Sequence, residues 1–177
     1  MMKRITGLAF ALALTLVAGC AGHKIPTTAH IPAVEAFSVD DYMGTWYEIA
    51  RLPHSFEKDM DEVSAQYTYR HDGTVEVVNS GMRGGKVHSA TATAKFAGSR
   101  FIGEFKICFF WPFYRDYRII YLEPNYRYAI VTGKTMDYLW ILARQPTVDP
   151  GTLQDLLAKA DGWGFHTDDL EFPRPKK

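Results

Sequence analysis

The residue best placed for covalent chemistry near the start of the chain is Cys20, whose thiol can be modified. It closes the run Val17-Ala18-Gly19-Cys20, after two basic residues at positions 3 and 4 and an uncharged stretch from Ile5 to Gly19. About 15 apolar and small residues are too few to cross a bilayer, which takes roughly 20 in a helix. The pattern therefore predicts a secretory signal over residues 1–19, removed by cleavage before Cys20.

This cleavage pattern resembles the bacterial lipobox, in which the cysteine is diacylated, the signal is cut before it, and the new amino terminus is acylated as well. The resemblance implies that Cys20 is the first mature residue and a lipid anchor. Ala21 in the next position implies the outer membrane, with the protein facing the periplasm. Several acyl chains, at ~0.8 kcal/mol per buried CH₂, would make the attachment permanent. The alternative is an ordinary signal peptide, with Cys20 left free.

The remaining residues with catalytic potential form no recognisable set. The sequence has no G-x-S-x-G elbow, H-E-x-x-H, C-x-x-C or P-loop motif. Cys108, the other cysteine, lies in an aromatic stretch without a nearby histidine, which favours a buried thiol over a nucleophile. The six histidines are scattered, at positions 23, 30, 54, 71, 88 and 166. We expect no enzymatic activity, no cofactor and no metal site.

Length and charge limit the partners of the chain. Of its 177 residues, 20 are basic and 20 acidic, and the first 19 hold two of the basic ones, which leaves a net charge of −2 for the rest. Such a balance offers no basic stripe for nucleic acid. Residues 20–35 contain two prolines and no apolar period, so we expect a lipidated cysteine followed by a flexible tether. Residues 36–177 are long enough for one domain.

Within this domain, short alternating or aromatic-rich runs recur between turn residues, which predicts an all-β meander. Asp72-Gly73, Gly98-Ser99 and Pro124-Asn125 supply the chemistry of tight reversals. Connections this short require antiparallel neighbours. We count eight strands, at Thr45–Leu52, Val63–Arg70, Thr74–Ser80, Val87–Phe96, Phe101–Phe109, Tyr117–Leu122, Tyr126–Thr132 and Tyr138–Arg144.

One helix follows the strands. Asp149 can cap it, Pro150 suits its first turn, and an apolar stripe with helical spacing ends near Gly162. The stripe needs a surface to lie on, and eight up-and-down strands have two edges that closure removes. We therefore predict an eight-stranded antiparallel barrel with one C-terminal α-helix packed outside. Such a barrel can hold one small ligand or fill with its own side chains.

Four segments carry a resemblance to a known family. Gly44 to Arg51 (Gly-Thr-Trp-Tyr-Glu-Ile-Ala-Arg) resembles the lipocalin signature built on G-x-W, and Tyr138–Arg144 matches that family's terminal-arginine motif. Phe109–Tyr114 and Tyr128–Val131 resemble the corresponding stretches of bacterial outer-membrane lipocalins, relatives of apolipoprotein D. The T-D-Y motif of lipocalins is replaced by Glu-Pro-Asn-Tyr at positions 123–126. The resemblance covers residues 36 to 172 and implies a lipocalin barrel.

The resemblance also assigns roles to three residues. In lipocalins a tryptophan plugs the closed end of the barrel and an arginine lies across its ring, which here would pair Trp46 with Arg144 beside Gly44. A cation over an indole face contributes ~0.5–2 kcal/mol. These residues are expected to close the barrel and not to bind ligand.

Strand alternation relative to the inward Trp46 and Arg144 gives the expected pocket lining. Glu48 shares that parity and would need a tyrosine or arginine partner inside; a structural hydrogen bond and a lipid-head contact both stay open. The alternative for the aromatic residues is a solid core. The expected lining residues are Phe105, Ile107, Phe109, Tyr117, Ile119, Tyr121, Tyr128, Trp140 and Leu142.

The resemblance implies a binding protein that stores or transports fatty acids or lysophospholipids at the outer membrane. An apolar pocket with a few tyrosine hydroxyls suits an acyl chain with a polar head near the mouth. The alternatives are binding of another hydrophobic molecule, such as haem, a pigment or an oxidised lipid, and a lipocalin-fold isomerase. Three roles are compatible with the aromatic residues near Trp111, Phe113 and Tyr114: a contact in a homodimer, a contact with the membrane surface, or the rim of the pocket.

Overall fold

The computed structural model describes residues 25–175, so the signal, Cys20 and the first residues of the expected tether lie outside the described part of the chain. Eight strands form a closed antiparallel barrel in which each strand pairs with its neighbours in sequence and the last pairs with the first. The predicted fold class is confirmed. The strands are β1 (Gly44–Arg51), β2 (Asp61–Tyr69), β3 (Val75–Arg83), β4 (Lys86–Phe96), β5 (Glu104–Phe110), β6 (Phe113–Leu122), β7 (Tyr128–Thr132) and β8 (Leu139–Ala143).

Within residues 25–175, two α-helices accompany the barrel. The short α1 (Val39–Tyr42), which the sequence does not reveal, precedes β1, and α2 (Pro150–Gly162) follows β8. Asp149 caps α2 as expected, because its side chain accepts a hydrogen bond from the backbone N–H of Thr152. Leu156 and Ala160 of α2 are buried against the outer wall of the barrel. Among residues 25–175, no helix has the length and apolar character needed to cross a lipid bilayer.

The barrel has two different ends. The loops β2–β3, β4–β5 and β6–β7 and helix α1 lie at the end where β1 begins, which we call the closed end. The loops β1–β2, β3–β4, β5–β6 and β7–β8 lie at the other end, the mouth. An inner core of aromatic and aliphatic side chains occupies the closed end, and a second core lies between the outer wall and α2.

Residues 25–35, expected as part of a flexible tether, instead lie along the outside of the barrel; we call them the N-terminal strap. Near the mouth, the Thr28 N–H donates to the Lys134 carbonyl over 3.1 Å. Arg118 donates to the carbonyls of Thr28 and Ile31, both at 2.7 Å. Farther down, the Val34 carbonyl accepts from the Gly103 N–H at 2.9 Å. Thr28 and Ile31 are buried, so the strap is part of the folded domain.

Candidate functional site

A large cavity opens at the mouth. Its volume is about 470 Å³, within the range of small-molecule binding sites. The barrel is therefore hollow above its closed end, not a solid core. Apolar walls come from several strands, and the lining includes Val63, Ala65, Val77, Ile107, Phe109, Val131 and Leu142.

Trp46 and Arg144 meet at the closed end. The Trp46 ring is fully buried, its Nε1 donates to the Tyr42 carbonyl at 2.9 Å, and the Arg144 guanidinium lies 4.0 Å above the ring. Arg144 also donates to the carbonyls of Asp41 and Thr45 at 2.7 and 2.9 Å. One side chain thus joins α1, β1 and the end of β8 beneath the cavity.

Gly44 lies beside that arginine. It has a φ of +93°, and a Cβ there would lie 3.4 Å from Nη1 of Arg144. A left-handed backbone at the start of β1 favours glycine over other residues. The structure therefore brings Gly44, Trp46 and Arg144 together.

Three tyrosine hydroxyls are linked near the floor of the cavity. The Tyr117 hydroxyl lies 2.7 Å from that of Tyr42 and 2.9 Å from that of Tyr67. Burial is the largest cause that raises the pKa of each of the three phenols, so they stay neutral. These hydrogen bonds give the three buried hydroxyls polar partners, which an apolar ligand could not provide.

Five of the nine expected lining residues line the cavity: Ile107, Phe109, Tyr117, Trp140 and Leu142. Phe105 and Ile119 point inward but are buried nearer the closed end, where Phe105 borders a small void of about 10 Å³.

Tyr121 and Tyr128 do not line the cavity and instead pack with the outer core beside α2. A register shift between Ile119 and Tyr121 turns the end of β6 over, so Tyr121 faces outward. Tyr126 has a φ of +56°, and the strand starts only at Tyr128 with the opposite alternation. The expected inward parity of these two tyrosines is therefore wrong.

A cluster of charged residues, which the sequence indicates only through Glu48, lies beside the cavity and lines it with Glu48 and Glu57. Glu48 accepts a hydrogen bond from Arg51 Nη1 at 2.7 Å, and Arg51 also reaches Glu171 at 2.9 Å. Glu57 accepts from Trp140 Nε1 at 3.1 Å. Its Oε2 lies 2.9 Å from His54 Nε2, although neither ring nitrogen is aligned for a hydrogen bond among the described residues. The partner of Glu48 is thus an arginine.

Glu48 has the most perturbed carboxyl of this cluster. Burial, and next the nearby Glu57, raise its pKa to about 8 against the opposing effect of Arg51. Because the folded chain holds a proton that the unfolded chain releases above about pH 4.5, the free energy of unfolding should fall as pH rises from 4.5 to 8. With Glu48 protonated, the single positive charge of Arg51 has only the carboxylate of Glu171 to neutralise, although Arg51 contacts both acids.

We expect Glu48→Gln to flatten this pH dependence and to raise the free energy of unfolding at pH 8 by roughly 1–3 kcal/mol relative to wild type. Urea unfolding across this pH range measures it. Glu171→Gln is the matched control, because Glu171 touches the same guanidinium from the exposed side. An unchanged slope in Glu48→Gln would show that another group titrates.

Charges of both signs surround the mouth. Lys106, Arg115 and Lys134 border the cavity together with Glu57 and Asp116, and Lys106 is paired with Asp116. Asn79 also borders the cavity, and its side-chain oxygen is buried without a hydrogen-bond partner among the described residues. The charged side chains that border the cavity can therefore receive a polar group that carries both charges.

No group of three acidic, histidine or cysteine residues suited to a metal ion occurs between Ile25 and Pro175. Cys108 is buried and pairs across the sheet with Thr93 and Tyr114. The described residues that line the cavity include a serine and several acids but no histidine, so they form no serine–histidine–acid triad.

Comparisons with known proteins fit this architecture. A family model for the lipocalin-like domain matches residues 37–175. The chain is 39% identical over 166 residues to the outer membrane lipoprotein Blc of Escherichia coli K12, covering 93% of each, and 35% identical over 140 residues to bovine apolipoprotein D, covering 72% of this chain and 73% of that one. Insecticyanin from the tobacco hornworm superposes with a TM-score of 0.69 at 18% identity, over 83% of this chain and 85% of insecticyanin.

Proposed function

Since the chain belongs to the lipocalin family, we propose that it binds single-chain lipids, fatty acids or lysophospholipids, in its barrel and stores or transports them in the cell envelope. The observation that carries this proposal is the apolar cavity of about 470 Å³ with a charged rim. Burying a 16-carbon chain contributes roughly 12 kcal/mol before the costs of ordering and association. The remainder is sufficient for micromolar or tighter binding.

The proposal includes attachment to the outer membrane through an acylated Cys20. It rests on the lipobox-like run that ends at Cys20 and on the likeness to relatives that are named outer membrane lipoproteins. A protein held there lies next to the phospholipids from which single-chain lipids are released.

The rim favours a lysophospholipid over a fatty acid. A fatty acid carboxylate would meet the acidic side chains Glu57 and Asp116 as well as the basic ones. A headgroup with a phosphate and an amine can pair with both signs. The acyl chain would then extend between Ile107, Phe109 and Leu142 toward Trp46.

Displacement of a fluorescent fatty acid tests this assignment. We expect saturable binding of the probe and its displacement by lysophosphatidylethanolamine. Arg115→Gln at the rim should weaken the lysophospholipid by up to about tenfold, which corresponds to 1.4 kcal/mol. Arg127→Gln, an exposed arginine paired with Glu123 at the closed end, is the control and should leave affinity unchanged. Absence of saturable binding of either lipid would refute the proposal.

A pigment or other hydrophobic molecule is the second candidate, because the apolar walls of the cavity also suit such a ligand. Mass spectrometry of lipids extracted from protein purified out of envelopes distinguishes the two. A coloured or polycyclic ligand in place of an acyl lipid would favour the second.

A further inference from the structure

Among residues 25–175, the exposed large apolar side chains are concentrated at one end of the barrel. Phe110 and Phe113 form the last pair of the β5–β6 hairpin, and Trp111 lies in its turn; they are 79%, 74% and 82% exposed. We call these three residues the aromatic tip. Phe56 and Val87, in the β1–β2 and β3–β4 connections, are also exposed at the mouth. At the closed end, Phe101 is the exposed large hydrophobic residue among those described.

None of these side chains belongs to either core. Exposed apolar patches of this kind mark interaction sites. Aromatic side chains, tryptophan above all, are enriched where proteins meet the interface of a lipid bilayer. The tip therefore fits a lipid surface.

Basic side chains occur at the mouth among the charges of both signs described above. The β3–β4 hairpin carries Arg83 and Lys86 next to Val87, and the sequence from Val77 to Lys95 contains no acidic residue. Arg115 follows the tip on β6. Basic side chains next to an apolar patch add an attraction to anionic headgroups.

The contacts of the N-terminal strap determine at which end of the barrel Ile25 lies. The Pro26 carbonyl accepts a hydrogen bond from the Met136 N–H at 2.9 Å, and Thr27 pairs with Thr135, both in the β7–β8 connection at the mouth. Ile25 therefore lies at the mouth and not at the closed end. Only five residue steps separate Ile25 from Cys20, and five steps span at most about 18 Å.

We propose that the mouth of the barrel docks on the phospholipid surface through the aromatic tip, with the strap holding the lipid anchor at that same end. The proposal rests on acylation of Cys20 as proposed above. A flexible tether over all of residues 20–35 would have allowed the barrel any orientation relative to the membrane. A strap that is bound to the barrel from Pro26 onward restricts that orientation. The cavity then opens toward the membrane, and a single-chain lipid can move between bilayer and barrel with little exposure to water.

Fluorescence quenching by brominated lipids tests the orientation. The full chain, purified from the envelopes of an expressing bacterium, is reconstituted into vesicles of phosphatidylethanolamine and phosphatidylglycerol with brominated acyl chains. The double variant Trp111→Phe/Phe101→Trp keeps the number of tryptophans and moves one from the mouth to an exposed site at the closed end. Both exchanges keep an aromatic ring on the surface, so the fold is retained.

We expect the bilayer to quench the wild-type protein and expect most of that quenching to be lost in the double variant. Equal quenching of the two proteins, or stronger quenching of the variant, overturns the docking. Sedimentation as a dimer in detergent would then assign the tip to a second copy of the chain.

Two further measurements separate this inference from the proposed function. Flotation with vesicles reports the anchor, and displacement of the fluorescent fatty acid reports the cavity. A protein that floats and binds lipid but shows no quenching difference overturns the docking alone. A chain that does not float overturns the anchor and the docking together, and leaves the lipid-binding assignment standing.

Discussion

Replacement of Trp46 by alanine should lower the free energy of unfolding by about 3–5 kcal/mol, the range for a buried aromatic side chain reduced to a methyl. The ring is fully buried, it donates one hydrogen bond to Tyr42, and its face supports the Arg144 guanidinium at 4.0 Å. Its removal leaves a cavity and a partly buried cation without its aromatic partner. For a domain of this size the melting temperature should fall by about 10 °C or more.

Trp111→Ala is the matched control for this experiment. The same truncation is made, but the Trp111 side chain is 82% exposed, so stability should change by less than about 0.5 kcal/mol. Circular dichroism during heating measures both variants. A melting temperature of Trp46→Ala within a few degrees of wild type would contradict the role of the ring as the plug of the barrel.

Ala65→Trp should abolish or strongly weaken lipid binding. Ala65 lies on β2 opposite Trp46 of β1 and Asn79 of β3, and its side chain borders the cavity directly. An indole there occupies the space into which the acyl chain would extend, so the affinity for a fluorescent fatty acid should fall at least about tenfold. Overpacking costs typically about 1–3 kcal/mol, so thermal unfolding of the variant must be followed as well.

Thr68→Trp provides the comparison, because Thr68 lies on the same strand with an exposed side chain. It should bind the probe like the wild type. If Ala65→Trp retains full affinity while folded, the lipid occupies another part of the protein, and the barrel cavity is not the binding site.

The eight strands, the closed barrel and helix α2 could be predicted because they depend on local signals. Alternation of side chains, turn residues such as Asp72-Gly73, and the Asp149 cap act within a few residues of one another. The pairing of Trp46 with Arg144 could be expected only through the family resemblance, because nothing local joins residues so far apart in sequence.

The parts that could not be predicted depend on tertiary contacts. The strap has no period of its own, and its position follows from hydrogen bonds to Lys134, Gly103 and Arg118. The outward direction of Tyr121 follows from a register shift, and that of Tyr128 from the left-handed backbone of Tyr126. Glu48 and Arg51 lie on the same strand, but the charged cluster also requires Glu57 and Glu171 to approach them from other segments of the fold, so only Glu48 could be singled out beforehand.

The pairing of β1 with β8 has a consequence for how the protein assembles. All other strand pairs join neighbours in sequence, so a curved ribbon can grow by hairpins, whereas the seam between β1 and β8 joins segments about 90 residues apart. Loop-closure entropy makes such long-range pairing slow compared with hairpin formation. Until the seam forms, the ribbon has two unpaired edges that can template aggregation. Arg144, which bonds across the seam to Thr45 and covers Trp46, contributes only once the ends have met, and so acts mainly to retard reopening.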